Sequence, residues 1–180
     1  GSISYLGYST NIITVLGTLI ASGIVTSTFP VLSKMWTNND ILGFEKLMNN
    51  TIRIILLISI PISCCLILFG EQIVNIVFER GAFNSKDTKL VSQALSWSSA
   101  AFIFQAIGGI VAKILYISKN TFIASLIAAF EIFLYIFLGY YLSIDFSFIG
   151  LAMALSISTG INILLTIYYI EKRIFKINFQ

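Results

Sequence analysis

The chain has 180 residues, 57% of them hydrophobic and 11% charged, with a formal net charge of +3 and no histidine. Soluble domains carry about 25% charged residues, so a water-soluble globule is excluded, and the missing imidazole removes histidine catalysis and histidine-based metal sites. What remains is an all-α, polytopic transmembrane helix bundle, with no cofactor or metal site implied and no pattern that points to nucleic acid.

A hydrocarbon layer about 30 Å thick is crossed by roughly 20 apolar residues in a helix. The opening GSISYLGYST has neither Met nor the basic segment of a secretory signal, and reads as the interior of a longer protein. No charge precedes Lys34, which places a first span at residues 10–29 with Pro30 at its end. A second span is expected at 52–69, kinked at Pro61. Within it the adjacent Cys64 and Cys65 read as small buried hydrophobes rather than a disulfide or metal pair. The polar island Gly70–Leu90 follows, with room for a short interfacial helix over Ile73–Phe78 and with Asn84 and Asp87 placed as an N-cap. Three more spans follow, at 91–117, 121–144 and 148–170. The whole of 1–180 thus reads as one partial transmembrane domain, whose apolar runs are too long and uniform for barrel strands.

Five spans put the two ends on opposite sides. Of the 11 Lys and Arg, eight fall on one side (Lys34, Lys46, Arg53, Lys113, Lys119, Lys172, Arg173 and Lys176), and Arg80, Lys86 and Lys89 fall on the other. The positive-inside rule makes the richer side cytoplasmic. The N-terminus and the island are then expected outside, and the C-terminus inside.

Two features carry chemistry. Asn11, Thr14, Thr18, Ser22 and Thr26 recur at helical spacing and form one polar stripe on the first span. Such a stripe either packs helices together or lines a hydrated cavity; the cavity reading nominates Asn11, Thr14, Thr18 and Ser22 as substrate-facing residues. Glu131 lies about mid-way along the fourth span, where a carboxylate is costly unless protonated, paired or hydrated. It is either a coupling group that takes up a proton or cation, or a neutral hydrogen-bonded lock between helices. Ser158, Asn162 and Thr166, at four-residue spacing in the fifth span beside small residues, offer the same two readings, with packing the stronger. No nucleotide-binding loop or nucleophile motif is present.

Three phrases, in order, resemble those of the lipid II flippase family (MurJ, formerly MviN). They are Phe29-Pro30-Val31-Leu32-Ser33-Lys34, then Phe78-Glu79-Arg80-Gly81-Ala82-Phe83, then Tyr116-Ile117-Ser118-Lys119-Asn120-Thr121. The opening Ser4-Tyr5-Leu6-Gly7-Tyr8 is similar to the family's run into its eighth span. The resemblance covers the whole chain and implies about the eighth to twelfth spans, part of the second lobe of a two-lobe flippase. It further implies a non-enzymatic, multi-pass transporter of the bacterial plasma membrane. By alternating access such a protein moves an undecaprenyl-pyrophosphate-linked cell-wall precursor to the outer leaflet. Its implied partners are that glycan lipid, membrane lipids and the missing N-terminal lobe. The chain departs from the family where a basic cavity residue is usual early in the eighth span, since the matching position is Asn11. Such a departure also fits a flippase for another lipid-linked oligosaccharide, and a non-transporting scaffold or degenerate fragment is the alternative from a different class.

Overall fold

The computed structural model describes residues 2–79 and 83–174, and for residues 2, 3, 21 and 22 the backbone alone. Among the described residues every regular element is helical: α1 (Ser2–Ile20), a π-helical turn (Ala21–Val25), α2 (Thr26–Thr37), α3 (Ile41–Leu68), α4 (Gly70–Phe78), α5 (Ser85–Ile117) and α6 (Thr121–Arg173). Residues 4–37, 41–68, 85–117 and 121–173 form four helical stretches long and apolar enough to cross a membrane.

The first rod does not stop at Pro30 but continues to Thr37. Proline removes one backbone donor and crowds the preceding turn. Here a π-helical turn lies just upstream, and the hydroxyls of Ser27 and Thr28 donate to the carbonyls of Gly23 and Ile24 at 2.6 and 2.7 Å. Local widening and hydroxyl donors are how a membrane helix accommodates a proline. The rod ends where Asn39 turns left-handed with φ 57. Asp40 then caps α3 by accepting from the Gly43 N–H at 3.0 Å.

That cap starts α3 at Ile41, well before residue 52, where the apolar run begins. Phe44 and Met48 bury one face of this polar extension, so it is helical without being lipid-like. α3 runs through Pro61 without a break, and Cys64 and Cys65 are exposed rather than buried. A small apolar side chain on an outward face suffers no penalty where lipid meets it.

α6 has 53 residues, which as a straight rod would be about 80 Å long, far more than a bilayer needs. Ser147, at φ 52 and ψ −132, interrupts it. Glu131 bonds to Asn162, the Tyr169 hydroxyl donates to Asn120 Oδ1 at 3.1 Å, and Gly139 faces Leu151. All three pairs join residues on opposite sides of Ser147, so α6 is an antiparallel hairpin with limbs 121–146 and 148–173. Gly150 makes the turn tight, because a Cβ there would collide with the Leu142 carbonyl.

α5 touches every other helix and forms the centre of the bundle. Its buried Ala94, Ser98, Ser99, Ala101 and Ala106 allow close approach. The hydroxyl of Ser63 donates to Ser99 O at 2.7 Å, and that of Ser156 to Trp97 O at 2.6 Å. Small residues and interhelical hydroxyl bonds are what hold helices together where the solvent is itself apolar. Large apolar side chains such as Leu57, Leu68, Phe133 and Leu164 point outward.

At the island, Asn84 and Asp87 form a reciprocal capping box at the start of α5. Glu79 ties α4 to it. Its carboxylate accepts from Thr88 Oγ1 at 2.7 Å, from Ser85 Oγ at 3.0 Å and from Asn75 Nδ2. Bonds from Thr88, then Ser85, then Asn75 favour the charged form and hold its pKa below the usual carboxylate value. A carboxylate with a depressed folded-state pKa contributes stability above its ordinary pKa and loses it as pH falls through the depressed value. Backbone amides of α4 should therefore be protected from hydrogen exchange at neutral pH. Once corrected for intrinsic rates, that protection should fall away in acid; Glu79→Ala should show the acid behaviour already at pH about 7.

Gly150→Val should destabilise the protein by about 1–3 kcal/mol through overpacking at the hairpin. Ser147→Gly, which removes a Cβ from a left-handed position, should leave stability equal or higher. Thermal unfolding in detergent distinguishes the two signs.

Candidate functional site

Asn11, Thr14 and Thr18 are all exposed on α1, as is Thr26 on α2, while Ile13, Ile20 and Val25 bury the opposite face. No described helix covers the stripe. The Thr14 hydroxyl donates to Thr10 O at 2.8 Å and that of Thr18 to Val15 O at 2.9 Å, so each stays bonded within its own helix and keeps lone pairs outward. The Ser22 side chain lies outside the described residues. Asn11 also sits on the rim of an apolar groove of about 670 Å³ between α1, α3 and α4, opposite Pro61 and Cys65.

Glu131 lies elsewhere. A cavity of about 270 Å³ opens between α5 and the two limbs of α6, with Gln105, Tyr116, Glu131, Thr159, Asn162 and Thr166 among its walls. Glu131 is half-buried there, and its Oε2 accepts from Asn162 Nδ2 at 2.7 Å. The Thr166 hydroxyl donates to Asn162 O at 2.8 Å and lies 3.4 Å from Asn162 Oδ1. None of the described stripe residues, Asn11, Thr14, Thr18 and Thr26, lines this cavity.

Asn162 is the residue whose partner the sequence did not reveal. Its four-residue spacing with Ser158 and Thr166 looked like a packing face, and Ser158 and Thr166 are indeed buried. The missed signal was distance from the turn. Glu131 and Asn162 lie almost equally far from Ser147, so any tight hairpin centred there sets them opposite each other.

One carboxylate among amides and hydroxyls suits a proton or a single monovalent cation. Divalent cations ask for more anionic oxygens, and no cluster of three metal-binding side chains occurs among the described residues. Beside the cavity, Lys113 of α5 is half-buried. Its ammonium lies 5.3 Å from the centre of the Phe29 ring and 5.9 Å from that of Tyr116.

Replacing Asn162 by Leu should leave the Glu131 carboxyl without its partner and cost about 1–3 kcal/mol, the range for an unsatisfied buried polar group. Adding Glu131→Leu should recover part of that loss, since the unpartnered carboxyl is then gone. A double-mutant cycle on thermal stability measures the coupling; simple additivity would mean that the bond contributes nothing.

A family model described as lipid II flippase MurJ matches residues 1–180. A probable lipid II flippase MurJ of Rickettsia prowazekii is 31% identical over 173 residues, 96% of this chain and 34% of that protein. A probable low-salt glycan biosynthesis flippase, Agl15 of Haloferax volcanii, is 23% identical over 168 residues, 93% of this chain and 34% of that protein. A solved lipid II flippase MurJ in an inward closed conformation superposes with TM-score 0.85 at 29% identity, covering 95% of this chain and 36% of that one. The chain thus spans about a third of the length of these proteins.

Proposed function

This chain belongs to the lipid II flippase MurJ family, and on that premise we propose that it is part of the second lobe of a lipid flippase. The complete protein carries a polyprenyl-pyrophosphate-linked cell-wall precursor from the inner to the outer leaflet of the plasma membrane. No bond is made or broken. The protein offers a polar path for the head group while the lipid tail stays in the bilayer. Transport then requires two states with different affinity for the substrate.

The observation that carries this reading is the exposed stripe of Asn11, Thr14 and Thr18, with Thr26 below it. An outward amide such as that of Asn11 is costly against lipid tails and is stabilised by water or a polar ligand, and the threonine hydroxyls, bonded to their own helix, leave lone pairs for the same partner. A central cavity shared with another lobe of the same protein provides that surface. The limbs of the α6 hairpin cross separately, making five spans. The positive-inside rule then puts the start of α1 and the Glu79 junction outside, and the last residues of α6 in the cytoplasm. Glu131, set apart from the stripe in its own cavity, serves as the coupling group, taking up a proton or cation as the lobe changes state.

A second substrate also fits. Asn11 stands where a basic residue is usual, and the likeness to the Haloferax glycan flippase favours another lipid-linked oligosaccharide as the alternative cargo.

Expression of the complete protein in cells depleted of their own lipid II flippase should restore growth. Normal expression without rescue would exclude lipid II as substrate and leave the alternative glycan lipid. In the rescued cells, Glu131→Gln should abolish transport or flatten its pH dependence. An unchanged rate and pH profile would remove Glu131 from coupling.

A further inference from the structure

We infer that Lys113 is the phosphate contact for the lipid-linked substrate at the inner-leaflet end of the polar stripe, an assignment that rests on the flippase reading above. Lys113 is the lone charge between Leu90 and Ile117. A charge in a membrane helix is costly and is kept where it has a partner or a ligand. All eight Asp and Glu are among the described residues, and none of them forms an ion pair with Lys113.

A lysine that only snorkels sends its ammonium out to water along a flexible stem. This ammonium instead lies over Phe29 of α2 and Tyr116 of α5. Ring faces attract the cation without accepting all three of its N–H donors, so an ordered ammonium keeps donors for an anion. Its depth also suits a lipid phosphate. Lys113 precedes the end of α5 at Ile117 by one turn, about 6 Å of helix, which places the ammonium near the polar boundary of the membrane.

Phe29 supplies the link to the substrate path. It follows Thr26, the last exposed residue of the stripe, by three positions along the same helix, so the stripe leads onto the ring that holds Lys113. The stripe carries amide and hydroxyl groups but no positive charge; α5 supplies that charge from the side. Tyr116 belongs both to this clamp and to the wall of the Glu131 cavity. A phosphate that draws the ammonium off the ring therefore acts on the cavity through one side chain.

The same ammonium could meet the phosphate of a bulk anionic phospholipid, and the test separates the two sources. The complete protein, in nanodiscs of zwitterionic lipid, is titrated with undecaprenyl pyrophosphate and with undecaprenol. Phosphatidylglycerol serves as a competitor. Lys113→Gln should weaken pyrophosphate binding about tenfold or more, Lys113→Arg should stay within about threefold of wild type, and undecaprenol binding should be unchanged in both. Thermal unfolding of each variant separates lost binding from lost fold. Equal pyrophosphate affinity in wild type and Lys113→Gln overturns the assignment. So does competition by phosphatidylglycerol at equal potency, which would make Lys113 an anchor for bulk lipid. Failure of wild type itself to prefer the pyrophosphate over the alcohol would instead remove the flippase reading, and the role of Lys113 with it.

Discussion

In a hydrocarbon solvent every backbone polar group must find its partner inside the chain, and the irregular points of this bundle are arranged around that demand. Hydroxyls of Ser27 and Thr28 serve carbonyls of the widened turn above Pro30. Side chains of Asp40 and Asn84 take up the free N–H groups where α3 and α5 begin. The Asn120 side chain, at the start of α6, bonds to Ser118 O and receives the Tyr169 hydroxyl from the far end of the hairpin. At each of these points a polar side chain serves the backbone, and they set where α3, α5 and α6 start.

With the backbone satisfied, packing is decided by how closely helices approach. Lipid is as apolar as leucine, so burying leucine gives no preference for one helix neighbour over another. The small and hydroxylated residues of α5 supply that preference. Gly160 receives the Phe104 ring, with a built Cβ 3.2 Å from it, and the space at Gly108 is taken by Ile163. These close contacts seat the second limb of α6 on α5. The cavity around Glu131 lies between these two and the first limb.

The polar side chains of the stripe and of the Glu131 cavity form two separate groups. One faces outward on the first rod, with Thr14 and Thr18 bonded to their own backbone. The other faces inward between α5 and α6, where Glu131 and Asn162 satisfy each other. Lys113 stands at the border, held by rings from both neighbourhoods. On the proposed reading, the substrate path and the coupling site are separate yet joined through Tyr116, so that cargo and ion would act on one conformational equilibrium without sharing a binding pocket.

Composition and spacing alone determined the membrane-helix class, the apolar runs, the capping role of Asn84 and Asp87, and the exceptional character of Glu131. Each follows from local chemistry: the water-to-lipid transfer of a run of side chains, a cap three residues from its partner, a charge in the wrong solvent. Helix ends were less legible. A hydropathy pattern sees which residues tolerate lipid, whereas a helix continues as long as its backbone is bonded, which is why the first rod passes Pro30 and α3 begins at Ile41. The pairing of Glu131 with Asn162, the outward turn of Cys64 and Cys65, and the seating of Lys113 between Phe29 and Tyr116 were decided only by tertiary structure. The reason is geometric. Periodicity shows that a helix has faces, but which face meets which neighbour depends on the backfold at Ser147 and on the close approach that the small residues of α5 permit.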